Sequence, residues 1–346
     1  MSDQKISYYF KPKDIPSKRI RMSPPTQDDP TTTDPPSVHT PFLVRPTAPV
    51  TPNPASRDSL QAAAKETLAV SGGLQTQLPS LKLDKSAKYS FTSLHRLDPN
   101  TCPLHPRPAT IKVMNKDTVN AAIALTTSAA AQDPKVRNPR PAVVNFANHQ
   151  RPGGGWLNGA VAQEEAICYR TTLGLALHKM FYPFAMEDAL YTPDVVVVRE
   201  DMASGHSLLT PATPAHHLPV ISVLSVAAIL KPAVHTFDVP TDDGSGGGRR
   251  DKPVFARDKD RGVTKAKMRL CLRMAAVHGH GLLVLGALGC GVFANPPEDV
   301  AHCWLEVLRE DEFRGNWWRE VCFAVYEPKG GGNFDVFHKV LDGKEV

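Results

Sequence analysis

Apolar positions along this chain gather in short unbroken runs rather than in strict alternation, and that pattern sets the expected fold class. Residues 110–114, 141–147, 194–198, 219–226, 282–287 and 320–326 each hold consecutive aliphatic or β-branched side chains over strand length. Continuous runs of this kind belong to strands covered on both faces. Helical patterns fall between most of them. Asp117 stands where it can cap an alanine-rich helix reaching about Ala131. Ala166, Tyr169, Leu173, Ala176, Leu177 and Met180 share one face at helical spacing, which predicts a single helix through Met180. Residues 265–278 and 297–309 read as two more helices, the second with proline at its start. A short helix over 59–69 and a loop to about Pro108 precede this body. The order predicts an α/β domain of three layers, with a sheet between two sets of helices.

Composition divides the chain. Of 32 prolines, 12 fall before Ser59. Proline has no N–H, and this segment has too few apolar side chains to offset the entropy of ordering. Residues 1–55 are therefore expected to be a disordered tail, 56–108 a helical and loop extension, and 109–346 the folded domain. Residues 241–250, with Asp-Asp-Gly-Ser-Gly-Gly-Gly, predict a flexible loop or insertion. The net charge of +5 is mild, and Lys5, Lys11, Lys13, Lys18, Arg19 and Arg21 place much of it in the tail. A field suited to gripping duplex nucleic acid is absent, although backbone amides can hold phosphate without net charge. The six cysteines are dispersed without CxxC spacing, and no apolar run has membrane-spanning length. A soluble, reduced, intracellular protein is the expectation.

Two glycine-rich loops follow strands directly, where α/β sheets place ligand crevices. The first contains Asn148, then Gly153, Gly154, Gly155 and Trp156, and leads to Gln163, Glu164 and Glu165 at a helix start. Successive glycines let a backbone approach a ligand and adopt positive φ. Acidic residues in a first helical turn also simply offset the helix dipole. The second loop runs from Gly286 through Gly289, Cys290, Gly291, Val292 and Phe293 to Asn295. It lies between a strand and a helix, an arrangement that cradles phosphates, and it lacks the Lys-Ser/Thr ending of a P-loop.

Together the loops resemble the poly(ADP-ribose) glycohydrolase family, whose signature is GGG, six to eight residues, then QEE. Here seven residues separate Gly155 from Gln163. The resemblance is to the compact microbial branch, covers about Thr110 to Pro328, and implies a macrodomain-like mixed sheet with helices on both faces. It implies hydrolysis of ribose–ribose O-glycosidic bonds, mainly from chain ends, with no cofactor or metal. By the same resemblance Glu165 is the catalytic acid/base and Glu164 orients ribose hydroxyls. Gln163 supports the loop, Gly153 to Gly155 and Asn148 approach the substrate, and Asn148 contacts the distal ribose. The backbone of Gly289, Cys290, Gly291 and Val292 holds the diphosphate, and Phe293 packs on the adjoining ribose. Repulsion and burial are expected to raise the pKa of one of the two adjacent carboxyls, against the helix dipole. A macrodomain that only reads ADP-ribose, or a hydrolase of other ADP-ribose adducts, is the alternative; the complete QEE argues against a reader.

Two short motifs lie in the tail. Ile6, Tyr9 and Phe10 match the core of a sliding-clamp-binding peptide, with Asp3 in place of its glutamine. Lys18 to Arg21, followed by Ser23-Pro24, resembles a nuclear import signal. They suggest a nuclear, DNA-repair setting. His278 with His280, and His216 with His217, lack acidic or cysteine partners at ligand spacing and read as surface or helix-end residues.

Overall fold

The apolar runs pair into one sheet in the computed structural model, which describes residues 56–132, 139–240, 249–327 and 332–346. In chain order the first half holds α1 (Arg57–Gln77), β1 (Ala87–Ser90), β2 (Ile111–Met114), α2 (Thr118–Gln132), β3 (Ala142–Phe146), α3 (Gln163–Arg170), α4 (Leu173–Ala176) and β4 (Asp188–Val196). The second half holds β5 (Val220–Val226), β6 (Val234–Pro240), β7 (Arg249–Phe255), α5 (Asp258–Val277), β8 (Leu282–Leu285), α6 (Pro297–Leu308), β9 (Glu320–Ala324) and α7 (Asn333–Leu341). Seven strands order as β1-β4-β5-β3-β8-β9-β2. The five from β5 to β2 are mutually parallel, while β4 runs antiparallel to both β5 and β1.

Side chains of these strands alternate between two cores, as the two-residue period of a strand requires. Val143, Val223 and Val284 face Leu60, Val119 and Ile167 of α1, α2 and α3. Val144, Leu224 and Leu283 face Met268, Trp304 and Phe337 of α5, α6 and α7. The three-layer α/β architecture with a mixed sheet is therefore as expected. Asp117 also caps α2, its Oδ1 accepting from the amides of Val119 (2.9 Å) and Asn120 (3.2 Å).

Several boundaries differ from the sequence reading, each for a local reason. Helix α1 continues past Ala69 to Gln77, because Ser71 and Leu74 extend its buried stripe while Gly72 and Gly73 meet open space. The long helix expected through Met180 ends at Arg170. The Arg170 carbonyl accepts from Val198 (2.8 Å) and Arg199 (3.2 Å), Thr171 turns extended, and pairing with the sheet displaces helical bonding. Strand β4 begins at Asp188 and passes through Pro193 at an irregularity between Thr192 and Val195, where proline removes no needed ladder bond. Arg249 and Arg250, read as part of a loop, belong to β7, which pairs with β6 as a separate hairpin. Residues 241–248 of that segment, and the expected tail over 1–55, lie outside the described residues. β1 and α7 fall in stretches that the pattern left without regular structure.

Helix α5 is fixed to the segment after α6 by bidentate ion pairs. Glu312 is buried and receives Arg273 on both oxygens (2.6 and 2.8 Å) and the Leu97 amide (3.1 Å). Arg273→Ala would leave that carboxylate buried without its cation. It is expected to cost about 3–5 kcal/mol in a denaturant titration.

Candidate active site

The site is built at the carboxyl end of β3. Its last turn into the loop is held by the Ala147 amide, which donates to Val226 of the neighbouring strand (3.0 Å). Gln163, the first residue of α3, then spends its whole amide on its surroundings. Its Oε1 accepts from Phe146 N–H (2.8 Å), and its Nε2 donates to Val144 O (2.7 Å) and Thr118 Oγ1 (3.2 Å). This bolts the start of α3 to the end of β3 and sets the direction of the next two side chains.

Glu164 and Glu165 are both buried, at 3% and 8% exposure, beneath the loop that carries Gly153 to Gly155. Glu164 Oε2 accepts from the Asn148 amide (2.7 Å), and its Oε1 meets Asn145 Nδ2 at 3.4 Å. Glu165 Oε1 accepts from the Gly155 amide (2.8 Å). The loop thus contributes amides to both carboxyl groups, Asn148 on one side of the glycine turn and Gly155 on the other. Gly154 has φ of 59°, and a Cβ there would collide with a Glu165 carboxyl oxygen and crowd one of Glu164 at 3.0 Å. Gly153 has φ of 66° and lies against the Trp156 ring. These two positions require glycine for conformation and for space.

Burial pushes the Glu164 carboxyl up to about 8. The Asn148 amide and Asn145 oppose that rise, and the charge of Glu165 adds to it. The expected upward shift of one carboxyl therefore falls on Glu164, with desolvation as its main cause. Asn148 also shapes the loop through Oδ1, which accepts from the amides of Gln150 (2.8 Å) and Arg151 (3.1 Å).

The loop is anchored from below. Trp156 is buried, its ring seated over Gly174 and edge-on to Tyr169 at 6.0 Å. The Tyr169 hydroxyl reaches the carbonyls of Trp156 (2.7 Å) and Ala160 (2.9 Å). The Phe184 amide donates to His149 O (2.7 Å), tying the segment before β4 to the same loop.

The second loop leaves β8, the strand beside β3. Gly289 has φ of 76° and approaches Ala228 too closely for a Cβ. Asn295 is buried and donates through Nδ2 to the carbonyls of Ile229 (2.7 Å), Gly289 (3.2 Å) and Phe293 (3.2 Å), which holds the loop in its curve. The Lys231 amide donates to Phe293 O (2.8 Å), so the loops after β5 and β8 are joined. Cys290 N–H is used within the turn, on Ala287 O (3.1 Å). The amides of Gly289, Gly291, Val292 and Phe293 make no hydrogen bond among the described residues, and Val292 is 76% exposed. Such a row of available donors suits an anionic ligand.

The first-loop and second-loop residues singled out in the sequence thus lie at the ends of adjacent strands. Sequence reasoning gave no role to Asn145, Tyr169 or Asn295. An asparagine inside the apolar run 141–147 was the available signal for the first of these. The histidines lie elsewhere: His278 stacks on Tyr191 at 3.7 Å, and His280 contacts Tyr191 Oη (2.9 Å) and Arg140 O (3.1 Å).

Residues 56–200 match the family model of the microbial-type PARG catalytic domain. Over that span the chain resembles the microbial-type PARG family. Its fold is similar to the crystal structure of poly(ADP-ribose) glycohydrolase from Thermomonospora curvata, with a TM-score of 0.60 and 25% identity over 82% of this chain and 99% of that one. The same enzyme bound to the inhibitor ADP-HPD matches with a TM-score of 0.59, at the same identity and coverage. The Deinococcus radiodurans enzyme in complex with ADP-ribose shares the fold, with a TM-score of 0.54 and 23% identity over 76% of this chain and 96% of that one. No curated protein matches the chain.

The raised proton affinity of Glu164 has a signed consequence for stability. Between the ordinary value of 4.5 and about 8, the folded state holds a proton that the unfolded state has lost. Folding stability should therefore fall as pH rises across that window. Denaturant titrations at pH 5 and pH 8 should show a loss in the parent protein that is smaller in Glu164→Gln.

Proposed function

We propose that this chain is a poly(ADP-ribose) glycohydrolase that cleaves ribose–ribose O-glycosidic bonds and releases ADP-ribose, with Glu165 as the acid/base. The observation that carries this reading is the pairing of Glu165 with the Gly155 amide, under a glycine loop that adjoins the unpaired amides of the second loop. The second loop would hold the diphosphate, and Phe293 and Asn148 the two riboses. Glu165 protonates the departing ribose oxygen as its bond to the anomeric carbon breaks through an oxocarbenium-like state. The resulting carboxylate takes a proton from water, whose oxygen bonds to the anomeric carbon.

Ordinary glycosidases place two carboxyl groups on either side of the bond, about 5 Å or more apart. Glu164, held inward on Asn148 and Asn145, is better placed to orient ribose hydroxyls than to attack from the opposite face. By likeness to the microbial branch, release proceeds mainly from chain ends and spares the protein-linked unit. Incubation with poly(ADP-ribose) should yield ADP-ribose, and Glu165→Gln should lower kcat by about 10²- to 10⁴-fold. Full activity in that variant would overturn the assignment.

We further propose that the enzyme works in the nucleus in DNA repair, with the tail motif Ile6, Tyr9 and Phe10 contacting a sliding clamp. Supporting this is the co-occurrence of that motif with the basic run at Lys18 to Arg21. Removing residues 1–22 should abolish nuclear enrichment of a tagged protein in imaging; unchanged enrichment would contradict it.

A further inference from the structure

The carboxyl ends of the strands hold the site described above, while a second concavity opens at their amino ends. It is a groove of about 450 Å³ at the start of β2 and β9. That volume lies within the range of small-ligand sites. Arg107, Lys112 and Arg319 line it, opposed by one carboxylate, Glu320. Among the described residues Arg107 has no ion-pair partner, and Lys112 reaches Glu320 only at 3.8 Å. Arg319 donates to Ala129 O (3.1 Å), which positions its guanidinium without neutralising it. His105, also in the lining, has its proton affinity lowered by burial and then by the charge of Arg319. The groove therefore carries uncompensated positive charge.

A second observation narrows the ligand. His105 and Pro106 add ring surfaces to the same lining, beside the cations. A simple anion would satisfy the cations and leave these rings without a partner. A ligand that brings a base together with phosphates satisfies both, the rings giving the base an apolar wall. Strand β8, with four residues, puts about 13 Å between its two ends at ~3.3 Å per residue, so the groove and the second loop are separate.

We propose that this groove is a second, non-catalytic site for an ADP-ribose unit, through which a longer polymer is held at two places on one molecule. The proposal rests on the substrate reading given above. Tethering at two places raises the effective concentration of the chain end at the catalytic loop.

The full chain tests it. Calorimetric titration with ADP-ribose is expected to show two sites in the parent protein and one in the Arg107→Glu/Lys112→Glu double variant. The same variant should lose about tenfold in kcat/KM on long poly(ADP-ribose) and keep the parent value on the shortest oligomers. His105→Ala should weaken ADP-ribose at the groove severalfold while leaving inorganic pyrophosphate there unchanged. One site in the parent, two undiminished sites in the double variant, or equal losses on long and short substrates would overturn the proposal. Two sites in a parent that cleaves no polymer would uphold the groove and contradict the catalytic reading instead.

Discussion

Burying two adjacent carboxyl groups under one loop is the constraint on which the site depends. Each buried carboxyl group costs free energy unless donors meet its oxygens. Water supplies those donors at a surface; here the Asn148 and Gly155 amides do. The loop can bring both amides in only if its middle residue has no side chain, since the space beside Gly154 is filled by the carboxyl groups themselves. Glycine at this position therefore follows from the electrostatics as much as from backbone conformation.

The rest of the fold serves that arrangement. Gln163 joins α3 to the end of β3, Trp156 and Tyr169 hold the loop from beneath, and α1 braces it further out, where Arg57 Nε donates to Asn158 O (3.0 Å). Placing β8 beside β3 sets the amide-bearing loop next to the acidic one. The parallel order of β5, β3 and β8 puts all three connecting loops at the same edge of the sheet.

Much of this was legible in the sequence, because the strands are covered on both faces and read as unbroken apolar runs. The two loops stood out because glycine runs directly follow strands, and the resemblance in GGG and QEE singled out their residues. What escaped was structure decided by partners distant in sequence. The end of α3 depends on Val198 and Arg199 claiming the Arg170 carbonyl, and nothing local to Arg170 announces it. The β6–β7 hairpin is almost wholly exposed along β6, so no buried alternation marked it. Asn295 was visible only as the end of a turn; its three carbonyl partners come together in space. The raised proton affinity of Glu164 likewise comes from its burial, which spacing does not encode.

The most direct measurement is a crystal structure of the Glu165→Gln protein with a short poly(ADP-ribose) oligomer. The residue 165 amide should lie about 2.6–3.2 Å from the bridging ribose–ribose oxygen, with a diphosphate on the amides of Gly291 to Phe293. An oligomer whose glycosidic oxygen lies out of reach of residue 165, or whose diphosphate ignores the second loop, would contradict the account.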